Sequence, residues 1–413
     1  MSSLPTLDLA VIGGGASGFF TALQYAEIVP GKSVAIFEKG SHFLQKVRIS
    51  GGGRCNVTHA CFDSGEMAKN YPRGSRELRA AFHRWQPSDT VDWFKRQGVE
   101  LKAEPDGRMF PLTNRSETVI DCFLEQARKS RIALYQNYPL IGITHDEDGS
   151  FSLQFENLEA PIKARTVCMA TGSLKGSSLL RHLKQLEQIL QPLVPSLFAF
   201  NVNDRRITDL AGVSHPHVSI RREGTNTPRQ GPLLITHRGF SGPAVLRLSA
   251  WEAREMAEAN HHFPFIIDWL PDMKPEAIQA QFEENRRTHG AKLVRNSPIP
   301  PLPRRLWERM VACCDIDDQT TWGQLPKASV RKLLDELKSA RFEAEGKTTN
   351  KDEFVTCGGI ERKTIDFRTM QSRNIPGLYF VGECIDIDGV TGGFNFQAAW
   401  TTAHIAATDI AMR

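Results

Sequence analysis

The stretch LDLAVIGGGASG (residues 7–18) decides the fold of this 413-residue chain. Its first six residues form an apolar run, which is typical of a buried strand in a parallel sheet. Glycines follow, and residues 16–28 have helical spacing. The segment SVAIFEK (33–39) indicates a second buried strand. The sequence therefore predicts strand–helix–strand, the first unit of a doubly wound sheet.

The glycines after the first strand have the spacing G-x-G-x-x-G, which is informative only between a strand and a helix. Gly13 permits a tight turn, Gly15 lets the backbone approach a pyrophosphate, and Gly18 allows close helix–strand packing. Phosphates are then bound at the helix N-terminus, where N–H groups and the helix dipole favour anions. The turn residues predicted to bind the cofactor are Gly13, Gly14, Gly15, Ala16, Ser17 and Gly18.

Glu38 ends the second predicted strand, 20 positions after Gly18. A carboxylate at this place accepts hydrogen bonds from both ribose hydroxyls and repels a 2′-phosphate. The first motif therefore suits FAD or NAD. The alternative is a glycine turn beside a surface glutamate.

A second glycine motif lies near the C-terminus, where GLYFVGE (377–383) is followed by DGVTGGFNFQ (388–397) and a helical pattern to residue 411. A second strand–glycine–helix unit favours FAD over NAD, because the ribitol and isoalloxazine extend beyond the pyrophosphate. The N–H groups of Gly393–Asn395 are predicted to face flavin N1 and O2, where negative charge develops on reduction. The alternative is a plain loop before a helix. The predicted contacts here are Gly382, Glu383, Gly392, Gly393, Phe394 and Asn395.

A third turn, Ala170-Thr171-Gly172, follows the buried strand pattern of TVCMATGS (166–173). Such a small-residue turn returns the chain past the cofactor in two-domain flavoproteins. A bare tripeptide is a weak signal, and an ordinary turn is the alternative.

The segment SGGGRCN (50–56) has three interpretations: a phosphate loop, a reactive cysteine or a backbone platform. No Lys-Ser or Lys-Thr follows the glycines, and Cys61, six residues after Cys55, is not at redox spacing. The platform is therefore favoured, with a bare backbone against a flat ring and fixed donors from the polar residues. Its predicted cofactor contacts are Gly51, Gly52, Gly53, Arg54, Cys55 and Asn56.

Taken together, VIGGGASG, KVRISGGGRCNVTH, LVPSLFAFNVND, GPLLITHRGFSGPAVLRLSAW, EFVTCGGI and GLYFVGE…DGVTGGFNFQAAWTT resemble the BaiN/RdsA-type (YhiN-like) bacterial flavoproteins over essentially the whole chain. The resemblance implies an FAD domain, an inserted β-barrel and a helical insert. It also assigns FAD-binding roles to Gly13, Gly15, Gly18, Glu38, Lys39, Lys46, Arg54, Asn56, Gly382, Glu383, Gly393 and Asn395. Leu140 completes the predicted cofactor-binding set.

The chain departs from that family after the ATG turn, where GSLKGSSLLRHLKQLEQ (172–188) replaces a glycine-rich stretch. This region often fronts the cofactor and its access path in the family. The departure leaves substrate and pyridine-nucleotide handling open, and hardly affects FAD binding.

The predicted fold class is α/β, a doubly wound Rossmann-like FAD-binding domain with an inserted β-barrel domain and a further helical insert. The expected boundaries are 1–195 with 356–413 for the FAD domain, 196–272 with 341–355 for the β insert, and 273–340 for the helical insert.

The net charge of +4 is too small to argue for a nucleic-acid footprint, and the basic pairs 286–287 and 304–305 lie among acids. No apolar run reaches about 18 residues, so no membrane span is expected. The eight cysteines lack C-x-x-C spacing, and the N-terminus resembles no secretory signal. We expect a cytoplasmic protein with reduced thiols. The histidine pairs 215/217 and 261/262 lack further ligands at metal spacing, so no metal is expected.

These observations predict an FAD-dependent oxidoreductase that transfers a hydride through flavin N5. The expected reaction is reduction of a small organic substrate by NADH or NADPH, which would bind transiently because no second G-x-G-x-x-G is present. The alternatives are a flavin oxidase that oxidises an amine with O₂, an FAD-dependent RNA-modifying enzyme, and a non-catalytic flavin-binding protein. Weak catalytic candidates beside the flavin itself are Arg54, Asn395 and His237, the last before a predicted helix start at Ser241. The sequence does not indicate an oligomeric state.

Overall fold

The computed structural model describes residues 6–348 and 355–413. They form two compact units, one of residues 6–194 with 355–413 and one of residues 195–348.

The strands are named β1 to β21 in chain order. They are β1 (Leu7–Ile12), β2 (Val34–Phe37), β3 (Thr58–His59), β4 (Leu101–Ala103), β5 (Arg108–Pro111), β6 (Ala133–Tyr135), β7 (Leu140–His145), β8 (Phe151–Phe155), β9 (Ile162–Met169), β10 (Leu190–Ser196), β11 (Ala199–Asn201), β12 (Ser214–Arg222), β13 (Arg229–Thr236), β14 (Gly239–Ser241), β15 (His262–Asp268), β16 (Ala340–Glu345), β17 (Lys347–Thr348), β18 (Val355–Ile360), β19 (Ile365–Asp366), β20 (Gln371–Ser372) and β21 (Leu378–Phe380).

The α-helices are named in the same way. They are α1 (Ala16–Ile28), α2 (Gln45–Gly53), α3 (Ser64–Ala68), α4 (Ser75–Phe82), α5 (Pro87–Arg96), α6 (Ser116–Lys129), α7 (Leu179–Gln185), α8 (Pro243–Trp251), α9 (Ala253–Glu258), α10 (Pro275–Thr288), α11 (Arg304–Cys313), α12 (Lys327–Ser339) and α13 (Phe394–Ala411).

The first unit is built on a nine-stranded sheet whose central strands are parallel, in the order β21-β9-β1-β2-β6. The apolar run of β1 is buried from Leu9 to Ile12, as expected for a strand covered on both faces. Helices α1 and α13 pack against each other, so the two ends of the chain share one core. The predicted Rossmann-type architecture is therefore confirmed.

Shorter strands complete this unit. Strands β19 and β20 extend the sheet in antiparallel fashion beyond β21, and the β7–β8 hairpin pairs with β9. Strands β3, β5 and β4 form a separate three-stranded sheet, and β10 pairs with β18.

The second unit contains a seven-stranded sheet in the order β16-β15-β12-β13-β14-β11-β17. Only Gly346 separates the two edge strands in the chain, so the edges come together, yet no closed barrel forms among the described residues. The predicted inserted β domain is thus a curled sheet whose two edge strands are not hydrogen-bonded to each other. Residues 349–354 of its predicted boundary lie outside the described residues.

The predicted helical segment between 273 and 340 corresponds to α10, α11 and α12. These helices fall in the same compact unit as the curled sheet, and α12 packs on β15 and β16. The separation of this unit into a β domain and a helical domain stays a prediction. The predicted helix start at Ser241 is wrong, because Ser241 ends β14 and α8 begins at Pro243 after Gly242.

Buried ion pairs hold the acidic turn that precedes α13. Arg73 binds Asp388 through two hydrogen bonds, and the side chains are 9% and 0% exposed. Asp386 is also buried and forms an ion pair with Arg362, with 3.4 Å between Nη1 and Oδ2, and its backbone carbonyl accepts from the same Nη1 at 3.0 Å. The acids of this turn therefore stabilise its conformation through arginines far away in the sequence.

Replacing Asp388 by Asn keeps the side-chain volume but leaves the buried Arg73 cation without its carboxylate. We expect unfolding to shift to lower urea concentration by a free energy of about 3–5 kcal/mol, measured by circular dichroism. The control is Glu125→Gln, which removes the exposed pair with Lys129 and should leave the midpoint unchanged. An unchanged midpoint for Asp388→Asn would show that this pair does not stabilise the turn.

Candidate functional site

Four parallel strands end at one edge of the main sheet, and a sequence-predicted turn follows each of them. Gly13 follows β1, Glu38 follows β2, Ala170 follows β9 and Gly382 follows β21 within two residues. Since β2 and β9 lie on opposite sides of β1, the chain changes direction across the sheet beside the glycine turn. Ligands of open α/β sheets bind at the carboxyl ends of the strands, at such a switch point.

The three glycines of the first turn have the different surroundings that their predicted roles require. A Cβ atom on Gly13 would lie 2.3 Å from the Ala170 carbonyl oxygen, and one on Gly18 would lie 2.0 Å from the Gly13 carbonyl oxygen. At Gly15, the residue before α1, a Cβ atom would meet nothing within 4 Å. Gly13 and Gly18 therefore permit packing, whereas Gly15 borders open space at the start of α1.

Glu38 forms hydrogen bonds with the backbone on both sides of the site, and its predicted ribose contact stays a prediction. Its carboxylate accepts from the amides of Gly14 and Gly40, both at 2.8 Å. A carboxylate offers about four acceptor sites, so two ribose hydroxyls can still bind. Lys39, the next residue, is exposed.

Glu383 joins three of the predicted segments. Its carboxylate accepts from Lys46 Nζ at the start of α2 and, at 3.0 Å, from the amide of Thr356 in β18. A Cβ atom on Gly172 would lie 3.8 Å from Glu383 Oε2, so the ATG turn is adjacent. Gly382 packs on the start of α1, where its Cβ atom would lie 2.7 Å from Ser17 Oγ.

The glycine loop at the end of α2 has three consecutive residues in the left-handed region. Gly51, Gly52 and Gly53 have φ of 59°, 68° and 83°. A Cβ atom on Gly52 or Gly53 would meet nothing within 4 Å, whereas one on Gly51 would lie 2.8 Å from the Phe110 ring. The loop thus presents bare backbone to open space, as the platform interpretation requires.

Cys55 differs from a reactive cysteine. Its side chain is fully buried, and burial raises the pKa of its thiol to about 12. The thiol is therefore protonated at neutral pH and is a poor nucleophile. The structure favours a packing role for Cys55.

Arg54 is held by the protein itself. Its guanidinium donates to Glu104 Oε1 at 2.6 Å and lies over the Phe110 ring, 3.9 Å from the centroid. Glu104 also accepts from Arg108. These contacts fix Arg54 beside the glycine loop, and its predicted donation to the cofactor stays a prediction.

The residues after the glycine loop contact the start of α13. Trp400 Nε1 donates to the Val57 carbonyl at 2.9 Å, and Thr58 Oγ1 donates to Gln397 Oε1 at 2.6 Å. A Cβ atom on Gly393 would lie 2.4 Å from the Thr58 carbonyl oxygen. The structure therefore brings together two motifs that are more than 330 residues apart in the sequence.

Asn56 supplies an unsatisfied polar group at this junction. Its side chain is 9% exposed, and Oδ1 has no hydrogen-bond partner among the described residues. A buried polar atom without a partner is costly, so a ligand donor at this point would stabilise the structure.

Asn395 has a structural role at the start of α13. Its side chain accepts from the Gly389 amide at 2.8 Å and donates to the Gly389 carbonyl at 2.9 Å, so it fixes the preceding turn. Gly393, the N-terminal cap, contributes no side chain, and the first N–H groups of the 18-residue helix remain available to a ligand. Gly392 has φ of 129°, and Phe394 is buried.

The remaining predicted residues lie elsewhere. Leu140 is buried at the start of β7, two residues after Tyr138, whose amide donates to the Glu38 carbonyl. His237 is exposed in the two-residue turn between β13 and β14 of the second unit. Within the described residues, no group of three or more His, Cys, Asp or Glu side chains could bind a metal ion. No helix there is long and apolar enough to cross a membrane.

Sequence reasoning missed the partners that position these motifs. Glu104, Thr356 and Gln397 hold Arg54, Glu383 and Thr58. Gln397 is the last residue of the DGVTGGFNFQ stretch, but no role was predicted for it. Glu104 and Thr356 have no local signal in the sequence.

The comparisons with known proteins agree with this geometry. The model of the family described as the HI0933-like protein Rossmann domain matches residues 7–409. The chain belongs to the HI0933-like family. The predicted resemblance and activity class are thereby confirmed, and the protein is an FAD-dependent oxidoreductase.

Relatives of this HI0933-like protein include the ribosomal RNA dihydrouridine synthase of Escherichia coli K12, 29% identical with 98% of each chain covered. The 3-dehydro-bile acid delta(4,6)-reductase of Clostridium scindens is 24% identical, with 98% of this chain and 99% of that protein covered. A solved 3-ketosteroid delta1-dehydrogenase from Sterolibacterium denitrificans is similar in fold, with a TM-score of 0.53, 12% identity, and 99% and 100% of the two chains covered.

The residues present fit FAD. Four features of the first unit leave groups available to a ligand. They are the open space at Gly15, the bare backbone at Gly52 and Gly53, the unpartnered Oδ1 of Asn56, and the start of α13, which has no side-chain cap. Gly15 would lie against the pyrophosphate and Glu38 against the ribose. The glycine loop and α13 would hold the flavin.

The pair Gly15→Ala and Gly18→Ala separates ligand space from packing. The Gly15 variant should fold with an unchanged melting temperature and lose most of its FAD, because its methyl group occupies the open space before α1. The Gly18 variant should melt earlier, because its methyl group clashes with the Gly13 carbonyl. Flavin absorbance per protein and thermal unfolding measure both effects. Full FAD content in Gly15→Ala would contradict the assigned pyrophosphate position.

Gly52→Val should lose FAD, whereas Cys55→Ser should retain it because a serine hydroxyl can replace the buried thiol next to Ser50. The matched control is Gly149→Val in the β7–β8 turn, where φ is 80° and a Cβ atom also meets nothing within 4 Å. Both valines carry the same left-handed strain of roughly 1–2 kcal/mol. If Gly52→Val keeps normal flavin absorbance, as Gly149→Val should, the platform interpretation is wrong.

Proposed function

We propose that this protein reduces an electron-poor carbon–carbon double bond conjugated to a carbonyl, and that its substrate is a uracil base in ribosomal RNA. The observation that carries the proposal is similarity over the whole chain to proteins named ribosomal RNA dihydrouridine synthase in two bacteria. The Escherichia coli and Haemophilus influenzae relatives are each 29% identical to this chain.

The chemistry of the relatives supports the bond type. Uracil has a C5=C6 double bond conjugated to its C4 carbonyl, and a delta(4,6)-unsaturated 3-keto compound has double bonds conjugated to its ketone. Both are reduced by adding a hydride to one carbon and a proton to another. Bound FAD supplies hydride transfer through its N5 atom, with NADH or NADPH as the donor that is oxidised.

The residues of this chain would bind and orient the cofactor. Gly15 and the start of α1 would receive the pyrophosphate, and Glu38 would bind the ribose. The N–H groups at the start of α13 would stabilise the negative charge that develops on the reduced ring. Asn395 would keep the preceding turn in place, and the Lys46–Glu383 pair would fix the adjacent strand end.

A second candidate substrate is a small unsaturated ketone. The relative named 3-dehydro-bile acid delta(4,6)-reductase supports it, since that protein also matches this chain over its whole length. This candidate agrees with the sequence-based prediction of a small organic substrate. The modest net charge of +4, which argues against RNA, also favours it.

Expression of this protein in an Escherichia coli strain that lacks its ribosomal RNA dihydrouridine synthase tests the proposal. We expect dihydrouridine to reappear in purified ribosomal RNA, measured by mass spectrometry of nucleosides. The Gly15→Ala variant is the matched control and should not restore it. Absence of dihydrouridine from cells that contain the folded, FAD-loaded protein would contradict the RNA substrate.

The purified flavoprotein is then reduced anaerobically with NADH or NADPH and mixed with unmodified ribosomal RNA or with a 3-keto-delta(4,6) steroid. Reoxidation by RNA alone supports the first candidate, and reoxidation by the steroid alone supports the second. Bleaching of the flavin by an amine but by neither pyridine nucleotide would identify an oxidase and overturn both.

A further inference from the structure

The segment after the ATG turn carries positive charge that the cofactor site does not use. Residues 172–188 contain Lys175, Arg181 and Lys184 but only one acid, Glu187. All three cations are exposed, and none forms an ion pair within the part of the chain that the structure describes. By contrast, many other cations of this unit pair with carboxylates, as Arg73, Arg108 and Arg362 do.

Helix α7 orders two of these cations on one face. Leu179 and Leu183 are buried, and α7 packs on β7. The opposite face presents a surface groove lined by Leu180, Arg181, Lys184 and Gln185, which we call the basic groove. Residues three and four apart on a helix are neighbours, about 5–6 Å between Cβ atoms, so both cations can reach the same short stretch of a polyanion.

The chain that leads into the basic groove begins at the edge of the candidate cofactor site. Ser173 Oγ and Thr356 Oγ1 are 2.6 Å apart, and the Thr356 amide binds Glu383. Lys175 follows two residues later, before α7. Uncompensated positive charge therefore lies on the segment that continues directly from the ATG turn.

We infer that the basic groove binds the phosphate backbone of the RNA substrate, and that Arg181 and Lys184 are positioning residues for that strand. The inference rests on the proposed RNA substrate. An exposed groove with two neighbouring cations suits a continuous polyanion, because a protein binds such a strand by neutralising its phosphates. A pyridine nucleotide would instead require a more enclosed pocket that buries most of the ligand.

The test compares the FAD-loaded wild type with the double variant Arg181→Gln/Lys184→Gln. Binding to unmodified ribosomal RNA is measured by filter binding between 50 and 200 mM KCl. The double variant should bind roughly tenfold more weakly at the higher salt concentration, and its log–log salt slope should fall by about 1.4 (about 0.7 per lost cation). The KM for ribosomal RNA in dihydrouridine formation should rise by a similar factor, because the bound strand loses two phosphate contacts.

The matched control is Arg128→Gln/Lys129→Gln, which also removes two positive charges. These residues end α6 and precede the amino end of β6, so they lie at the opposite edge of the sheet from the carboxyl ends of the strands. This control should keep the wild-type salt slope. Equal slopes for all three proteins would overturn the inference, and so would an increased KM for NADPH with unchanged RNA binding, which would assign the groove to the pyridine nucleotide.

The two proposals can fail separately. If the wild type forms dihydrouridine and the double variant binds RNA equally well, only the basic groove is wrong. If the wild type binds RNA with the expected slope difference but forms no dihydrouridine, the proposed reaction is wrong and the groove stands. No binding of ribosomal RNA by the wild type at 50 mM KCl would overturn both.

Discussion

The close approach of backbones at Gly13 and Gly18 is the constraint on which the rest of the first unit depends. A methyl group at either residue would collide with a carbonyl oxygen of the adjoining turn. These contacts place the start of α1 close to the end of β1, and α1 in turn packs on α13. The position of the C-terminal glycine turn relative to the first one follows from that packing. A similar backbone contact between Gly393 and Thr58 fixes the glycine loop against α13.

The sequence was most informative where a local pattern determines a local structure. Strand β1, helix α1 and helix α13 have the bounds that the apolar run and helical spacing predict. The packing roles of Gly13 and Gly18 could also be predicted, because a Cβ atom at either residue would meet a carbonyl oxygen, at 2.3 Å and 2.0 Å. The resemblance to a flavoprotein family added the expectation that the SGGGRCN loop lies beside FAD.

The sequence was less informative where the partner is distant. Asp386 and Asp388 precede α13 in the second glycine motif, and the sequence does not show that Arg362 and Arg73 neutralise them. Arg54 and Asn395 look like donors to a cofactor, yet Glu104 and Gly389 engage them. Likewise, the family resemblance implies a barrel, whereas closure depends on pairing between the two edge strands, which stays open in the described residues. Such pairings depend on tertiary geometry and produce no periodic pattern in the sequence.

The discontinuity of the first unit has a consequence for biosynthesis. The glycine turn at 13–18 leaves the ribosome well before helix α13, which packs on α1 in the same unit. The second unit is translated between them. Val57 and Thr58, which follow the SGGGRCN loop, therefore lack their partners Trp400, Gln397 and Gly393 until α13 has been synthesised. The proposed FAD site is therefore complete only after these two distant parts of the chain have come together.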